Sequence, residues 1–147
     1  MQRFLTALTL GLAALQVHAE VINIDNAELL RLQAAGVPVV DVRTAPEWQE
    51  TGIVPGSHLL TFFGDGGRAE PAAWLRKLQP IATPDQPVIL ICRSGNRTRT
   101  ISNFLSSQVG YTKVYNVTRG IKDWIKDGKP LNKAEQAAST CNWASTC

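Results

Sequence analysis

Apolar residues follow two alternating patterns along the chain. Short continuous apolar runs are typical of strands buried on both faces of a parallel sheet, whereas apolar positions three or four residues apart are typical of helices with one buried face. The runs predict strands over residues 21–24, 37–42, 58–63, 88–91 and 113–117. The spaced positions predict helices over residues 27–35, 46–49, 71–79, 97–109 and 121–126. Because strands and helices alternate, we predict a three-layer α/β domain, with a mainly parallel central sheet and helices on both faces.

Capping and turn residues mark several of the predicted boundaries. Asp25 is predicted to cap the first helix, with Glu28 as its capping-box partner, and Gly36 to end that helix. The Gly-Asp-Gly-Gly sequence at residues 64–67 predicts a flexible loop. Val88–Ile91 is predicted to be the central strand, because it is a continuous apolar run that ends at a polar turn.

The first nineteen residues have the three parts of a secretory signal. Arg3 gives a positive start, residues 4–17 are mainly apolar, and Val17-His18-Ala19 offers small residues for cleavage. We expect cleavage after Ala19 and a periplasmic or secreted mature chain. An uncleaved anchor and a buried N-terminal helix are the alternatives.

The mature chain is expected to form one domain followed by a tail. Residues 20–131 carry the predicted strands and helices, and residues 132–147 are polar and alanine-rich, which predicts a tail outside the main core. No second apolar stretch is long enough to span a bilayer, so no membrane association is expected after cleavage.

Charge and histidine content exclude several classes of function. The formal net charge of +3 is too small and too scattered to indicate nucleic-acid binding, although it is compatible with a small anionic ligand. Without the signal, His58 is the one remaining histidine, which excludes histidine-rich metal sites and disfavours Ser-His-Asp or Cys-His catalysis. The oligomeric state stays open.

The chain has three cysteines, Cys92, Cys141 and Cys147. An odd number in an exported protein indicates either a free thiol or an intermolecular bridge. Cys141 and Cys147 lie close together in the tail, so a local disulfide between them is the favoured prediction. The alternative is a mobile dithiol that takes sulfur from Cys92 or reduces it.

Cys92 directly follows the predicted central strand and begins a polar loop, which continues as Arg93, Ser94, Gly95, Asn96 and Arg97. Reactive groups in parallel α/β sheets gather beyond the carboxyl ends of strands. The loop amides, the dipole of the following helix and the arginines all favour the thiolate over the thiol. Cys92 is therefore a candidate nucleophile, although a buried structural cysteine and solvated arginines are the simpler alternatives.

Four segments of the chain resemble motifs of the rhodanese family, in the same order. They are Asp41-Val42-Arg43, Glu47-Trp48 followed by Gly52–Ser57, the six-residue loop Cys92–Arg97, and Gly120–Trp124. The resemblance extends from about residue 21 to residue 131. It implies a rhodanese-like fold whose loop binds sulfur.

The resemblance also implies a sulfurtransferase reaction that needs neither a metal nor an organic cofactor. Cys92 would attack the outer sulfur of thiosulfate or another sulfane donor, form a persulfide, and pass that sulfur to a thiol or cyanide. Arg93 to Arg97 would cradle the sulfur. Asp41 and Arg43 are expected to support the loop rather than to take part in the chemistry.

Three other functions stay open. A Cys-dependent phosphatase or arsenate reductase of the same fold is disfavoured, because related phosphatases use a loop one residue longer, and only four residues separate Cys92 from Arg97. A sulfur carrier or partner-binding module without turnover is the second alternative. A thiol redox protein that uses Cys92 with the tail cysteines is the third.

Other notable side chains have simpler interpretations. His58 is expected to be a strand residue rather than a base. Trp48, Trp74 and Trp124 are expected in the core or in a pocket wall. Arg68, in the glycine-rich loop, is a weaker candidate for the pocket rim.

Overall fold

The computed structural model of the chain describes residues 19–138. Almost all of the predicted signal segment, and both Cys141 and Cys147, lie outside the described residues.

Strands and helices alternate along the described residues, as predicted. The strands are β1 (Glu20–Ile24), β2 (Val39–Asp41), β3 (His58–Leu59), β4 (Val88–Ile91) and β5 (Lys113–Val117). The α-helices are α1 (Asn26–Ala34), α2 (Ala45–Thr51), α3 (Pro71–Leu78), α4 (Asn96–Phe104) and α5 (Gly120–Lys126). A π turn over Leu105–Val109 extends α4, and 3₁₀ turns cover Asp65–Gly67 and Ala134–Gln136.

The sheet has the strand order β1-β5-β4-β2-β3, and every pair is parallel. The prediction that Val88–Ile91 is the central strand is confirmed, because β4 is the third of the five strands. In a parallel sheet all strands end at the same edge. The residue after β2 therefore lies beside the end of β4, and the Val42 amide donates to the Ile91 carbonyl at 3.0 Å.

Helices cover both faces of the sheet, which confirms the predicted layers. Val88 and Leu90 of β4 pack on one face, while Ile89 and Ile91 pack on the other. The first face meets α3 and α4 through Trp74, Leu78 and Ile101, and the second meets α1 and α5 through Leu29, Leu32, Ile121 and Trp124. Each such aliphatic side chain contributes about 1.5–3 kcal/mol by leaving water, so β4 is stabilised from both sides.

Strand β3 is shorter than predicted, because its pairing with β2 slips by one residue. Leu60 still donates to the Asp41 carbonyl at 3.0 Å. Regular pairing would then bring the Phe62 amide to the Arg43 carbonyl. Instead the Phe62 amide donates to the Val42 carbonyl at 3.2 Å, and the Thr61 hydroxyl donates to the Arg43 carbonyl at 2.7 Å.

The prediction for the start of α1 is half correct. The Asp25 side chain accepts the Glu28 amide at 2.9 Å, as expected of an N-cap. The capping-box expectation is wrong, because the Glu28 carboxylate binds Arg31, at 2.6 Å and 2.8 Å. The helix with the reciprocal contact is α2, where the Glu47 carboxylate accepts the Thr44 amide at 3.0 Å.

The glycine-rich segment forms a closed turn rather than an open loop. The Gly64 amide donates to the Arg68 carbonyl at 2.8 Å, and Phe63 and Ala69 form an antiparallel bridge. Gly66 and Gly67 both have positive φ, which suits glycine.

Residues 132–138 lie outside the buried core, as expected, but backbone hydrogen bonds attach them to the domain. Asn132 and Ile53 exchange two backbone hydrogen bonds, each of 2.9 Å, and the Ala138 amide donates to the Ser57 carbonyl. Ile53 is fully buried, so its backbone groups need partners, and Asn132 supplies them. None of the helices within residues 19–138 combines the length and the apolar character that crossing a bilayer requires.

A buried ion pair joins the end of β2 to α2. The Arg43 guanidinium donates to the Asp41 carboxylate at 2.7 Å and 2.9 Å, and both side chains are essentially inaccessible to solvent. Arg43 also donates to the Thr51 hydroxyl at 2.7 Å and to the Gly52 carbonyl at 2.9 Å. The pair therefore fixes the carboxyl end of α2 against the sheet.

Replacing Asp41 by Asn leaves the buried Arg43 charge without its counter-ion. We expect Asp41→Asn to lower the free energy of unfolding by about 3–5 kcal/mol, measured by urea denaturation. Glu28→Gln is the matched control, because it breaks an exposed pair with Arg31 and should leave stability nearly unchanged. Equal losses in both variants would contradict a structural role for the buried pair.

Candidate active site

Cys92 lies directly after β4, at the edge where the strands end. Its side chain is 1% exposed and belongs to the core cluster under α3 and α4. The Gly95 amide donates to Cys92 Sγ at 3.1 Å, and Thr98 Oγ1 lies 3.5 Å from the same sulfur. The sulfur is therefore enclosed by residues 92–97, here called the Cys92 loop, and by the first turn of α4.

The Cys92 loop turns tightly at Gly95. This residue has φ of +86°, and a Cβ atom built on it would lie 2.0 Å from the Thr118 carbonyl oxygen. A side chain is excluded both by the left-handed backbone and by this close approach to the end of β5. Gly95 thus allows its own amide to face the sulfur.

The start of α5 holds the outer side of the Cys92 loop. The Ile121 amide donates to the Cys92 carbonyl at 2.9 Å, and the Lys122 amide donates to the Arg93 carbonyl at 3.2 Å. These donors have no partners within their own helix, so the loop carbonyls satisfy them. Because a trans peptide sets its N–H opposite its C=O, the Ser94 amide faces inward.

Gly120 makes this contact possible. A Cβ atom on Gly120 would lie 2.4 Å from the Cys92 carbonyl oxygen, so only glycine fits there. The sequence places Gly120 in a motif, yet we did not predict it as a site residue. A glycine at the start of a helix, after the last strand of a parallel sheet, is the signal for such a close approach.

The pKa of Cys92 lies below that of an ordinary thiol. Burial by itself raises this pKa, but hydrogen bonds from the Thr98 hydroxyl and from the amides of Thr98, Ser94 and Gly95 outweigh it. These donors stabilise the negative charge of a thiolate. The loop amides thus lower this pKa, in the direction expected from the sequence.

Thr98 is a second site residue that we did not predict. Its hydroxyl donates to the Gly95 carbonyl at 3.1 Å and also lies within reach of the sulfur. A hydroxyl has one hydrogen, so it faces either the carbonyl or the sulfur. With a thiol, Sγ–H can donate to Thr98; with a thiolate, the hydroxyl can turn and donate to Sγ.

The two loop arginines lie in different surroundings. Arg97 forms two hydrogen bonds with the Glu47 carboxylate, of 2.8 Å and 2.5 Å. The hydrogen bond from Arg97 is the main reason that the pKa of Glu47 falls to about 2. Glu47 in turn raises the pKa of Arg97, and the charge of Cys92 adds a smaller contribution. Arg97 is therefore an ion-paired residue beside the sulfur rather than a solvated one.

Arg93 is exposed and points away from the enclosed sulfur. It lines a cavity of about 140 Å³ between α2 and α5, together with Glu47, Glu50 and Lys122. Asn96 is also directed outward, because its side chain accepts a hydrogen bond from Arg99 at 2.7 Å. Ser94 is exposed as well, so its amide rather than its hydroxyl supports the sulfur.

The expected support from Asp41 and Arg43 reaches the loop indirectly. Arg43 fixes the end of α2, α2 carries Glu47, and Glu47 binds Arg97. The ion pair between Asp41 and Arg43 is therefore part of the scaffold, and none of its hydrogen bonds reaches the sulfur.

A concavity is lined by residues of β3, of α3 and of the segment between them, and by none of the Cys92 loop. Its volume is about 580 Å³, and its walls include Trp48, Phe62 and Trp74, with Arg68 among the lining residues. Trp48 and Trp74 are thus wall residues, as expected, whereas the proposed place of Arg68 at the rim of the Cys92 site stays a prediction. Trp124 is fully buried and donates to the Pro130 carbonyl at 2.8 Å.

His58 is a residue of β3 and pairs in register with Val40. Burial lowers its pKa, so it is neutral at neutral pH. Among residues 19–138, no three histidine, cysteine, aspartate or glutamate side chains cluster as metal ligands do.

Comparison with known proteins adds three relatives. The family described as rhodanese-like domain matches residues 25–127. A protein of Arabidopsis thaliana named thiosulfate sulfurtransferase 18 is 27% identical over 125 residues, covering 82% of this chain and 90% of that protein. A rhodanese-related protein of Thermoplasma volcanium is 27% identical, with a TM-score of 0.55 over 76% of this chain and 97% of that chain.

A third similar protein, from Rhodopseudomonas palustris, is described as of unknown function and as a possible tyrosine phosphatase. It is 20% identical, with a TM-score of 0.55 over 76% of this chain and 85% of that chain. At this identity the likeness concerns the fold alone.

Removing the Thr98 hydroxyl removes a hydrogen bond that stabilises the Cys92 thiolate. We expect Thr98→Val to raise the pKa of Cys92 and to slow its alkylation severalfold at neutral pH, because less thiolate is present. The measurement is the alkylation rate as a function of pH. Thr100→Val is the control, because Thr100 lies on the exposed face of α4; an equal effect there would contradict the assignment.

Proposed function

The chain belongs to the rhodanese-like domain family, and we propose that it transfers sulfane sulfur from thiosulfate or a persulfide donor to a thiophilic acceptor through a Cys92 persulfide. Sulfurtransferase activity at the level of the family is supported by the family match and by the relative named thiosulfate sulfurtransferase. The single observation that carries the proposal is the enclosure of Cys92 Sγ by donors that lower its pKa.

The first half-reaction is a displacement at sulfur. The Cys92 thiolate attacks the outer sulfur of thiosulfate, a new S–S bond forms on the enzyme, and sulfite leaves with the electron pair of the broken bond. The terminal sulfur of the persulfide carries the negative charge. The amides of Ser94 and Gly95 are the donors placed to stabilise the sulfur of Cys92 during this exchange.

The second half-reaction returns the enzyme to its starting state. A thiolate or cyanide attacks the terminal sulfur, takes it as a persulfide or thiocyanate, and releases the Cys92 thiolate. Neither half-reaction needs an oxidant or a reductant. The donors around Sγ lower the pKa of Cys92, which increases the share of thiolate available for attack and reduces the need for a general base.

A phosphatase is less well supported. Four residues separate Cys92 from Arg97, and the amides are arranged around one sulfur atom. Arg97 is bound to Glu47 and would have to release it to bind a phosphoryl group. The assay below distinguishes the main proposal from sulfur carriage without turnover and from thiol redox exchange with the tail cysteines.

We expect Cys92→Ser to abolish thiocyanate formation from thiosulfate and cyanide. The intact protein treated with thiosulfate alone should gain the mass of one sulfur atom, and Cys92→Ser should not. The double variant Cys141→Ser/Cys147→Ser is the control and should keep most of the activity. Normal turnover by Cys92→Ser would overturn the proposal, persulfide formation without turnover would indicate a carrier, and loss of activity in the double variant would favour the dithiol alternative.

We also propose that the protein is exported and works in the periplasm or outside the cell. The support is the charge and hydrophobicity pattern of residues 1–19. Expression of the full chain in a Gram-negative host should yield a periplasmic protein whose N-terminus is Glu20, as read by N-terminal sequencing. A cytoplasmic protein that retains Met1 would contradict this.

A further inference from the structure

The cationic end of the Cys92 loop is already occupied by a carboxylate. Arg97 Nη1 and Nη2 donate to Glu47 Oε2 and Oε1 at 2.8 Å and 2.5 Å. Two parallel hydrogen bonds of this kind are the geometry by which arginine binds an oxyanion. A sulfonate or phosphate group at the loop would therefore compete with Glu47 for the same donors.

The other charges near the loop do not replace the neutralised Arg97. Arg43 is bound to Asp41 in the core. Arg93 and Lys122 are cationic, but the cavity that they line also contains the carboxylates of Glu47 and Glu50. The positive and negative charges in this cavity are thus nearly balanced, whereas Arg119, Lys122 and Lys126, together with Asp123, line a separate open cavity beside Ser94. Arg97 is therefore the cation beside the sulfur, and Glu47 neutralises it.

Glu47 does more than cap helix α2. Glu47 Oε2 accepts hydrogen bonds from both the amide and the hydroxyl of Thr44, which is the capping function. Within residues 19–138, Oε1 accepts a hydrogen bond from Arg97 and from no other group. Oε2 therefore binds both the helix cap and Arg97, whereas Oε1 binds Arg97 alone.

We propose that Glu47 is a specificity-determining residue, whose ion pair with Arg97 disfavours dianionic donors such as thiosulfate and leaves the site suited to thiol persulfides. This inference rests on the proposed sulfurtransferase function and narrows its donor. A thiol persulfide, R–S–SH, carries at most one negative charge at the reacting sulfurs. Cys92 attacks the outer sulfur, the S–S bond breaks, and the thiolate R–S⁻ leaves with the electron pair and takes up the proton.

The low pKa of Glu47, about 2, keeps its charge in place at every pH where the protein would work. The pKa of Arg97 is raised by the same contact, so the arginine is also charged. The ion pair is therefore present both before and after donor binding unless an anion displaces it.

The test compares two alkylating reagents of similar size, neutral iodoacetamide and anionic iodoacetate. Both react with Cys92 by displacement of iodide, so their rate ratio cancels any change in the amount of thiolate. We expect Glu47→Gln to raise the iodoacetate-to-iodoacetamide ratio on the order of tenfold at low ionic strength, because Arg97 becomes free to attract the anion. Peptide mass spectrometry reads Cys92 separately from Cys141 and Cys147.

Glu50→Gln is the matched control. It removes the same charge from the same helix, three residues further on, but does not touch Arg97. The iodoacetate-to-iodoacetamide rate ratio of this variant should change little. An unchanged ratio in Glu47→Gln, or an equal rise in both variants, would overturn the inference.

The unmodified protein supplies a second measurement that needs no variant. The ratio at Cys92 should not exceed that of free cysteine, because Arg97, the cation beside the sulfur, is neutralised by Glu47. A ratio well above that of free cysteine would contradict the proposal. Alkylation does not depend on sulfur transfer, so these results stand even if the proposed function fails.

Steady-state kinetics test the proposal on the sulfur donors themselves. Glu47→Gln should raise kcat/KM for thiosulfate relative to that for an alkyl persulfide, with Glu50→Gln again as the control. If Glu47→Gln instead raises KM for thiosulfate, Glu47 positions Arg97 for anion binding, and the proposal is wrong. Gln keeps an oxygen that can accept the Thr44 amide, so the cap of α2 is retained, and a urea unfolding curve checks this.

Discussion

The hydrogen bonds between the first amides of α5 and the carbonyls of Cys92 and Arg93 determine the shape of the site. Each peptide group has one donor and one acceptor on opposite sides. Once α5 takes the carbonyls on the outer side, the following amides are available on the inner side, where the sulfur lies. The thiolate is thus stabilised in part by the Ser94 amide, whose orientation is set by a neighbouring helix.

This contact tolerates no side chain at two positions. Gly95 meets the Thr118 carbonyl, and Gly120 meets the Cys92 carbonyl, at distances that a Cβ atom would make impossible. The loop is held differently on its other side, where Glu47 of α2 binds Arg97. Backbone contacts therefore shape the sulfur-binding side, and an ion pair sets the charge of the open side.

The sequence predicts the fold well where one residue pattern decides the outcome. The fully apolar run Val88–Ile91 can lie only in the interior of a sheet, and the cysteine after it must then lie at the reactive edge. The contact between Glu47 and Arg97 could not be predicted in this way, because it depends on how Arg43 places α2 against the sheet. The same holds for two backbone contacts, the hydrogen bond from the Phe62 amide to the Val42 carbonyl and the pairing of Asn132 with Ile53. Both depend on which backbone groups lack partners in the folded chain.

The position of α5 in the chain has a consequence for the timing of thiol reactivity. The Cys92 carbonyl is bound by an amide 29 residues further along, at Ile121. A chain that has been synthesised only as far as β5, or one whose last helix has detached, lacks that contact, so the Ser94 amide is no longer held toward the sulfur. Cys92 therefore gains the last of its stabilising donors only when the fold is complete.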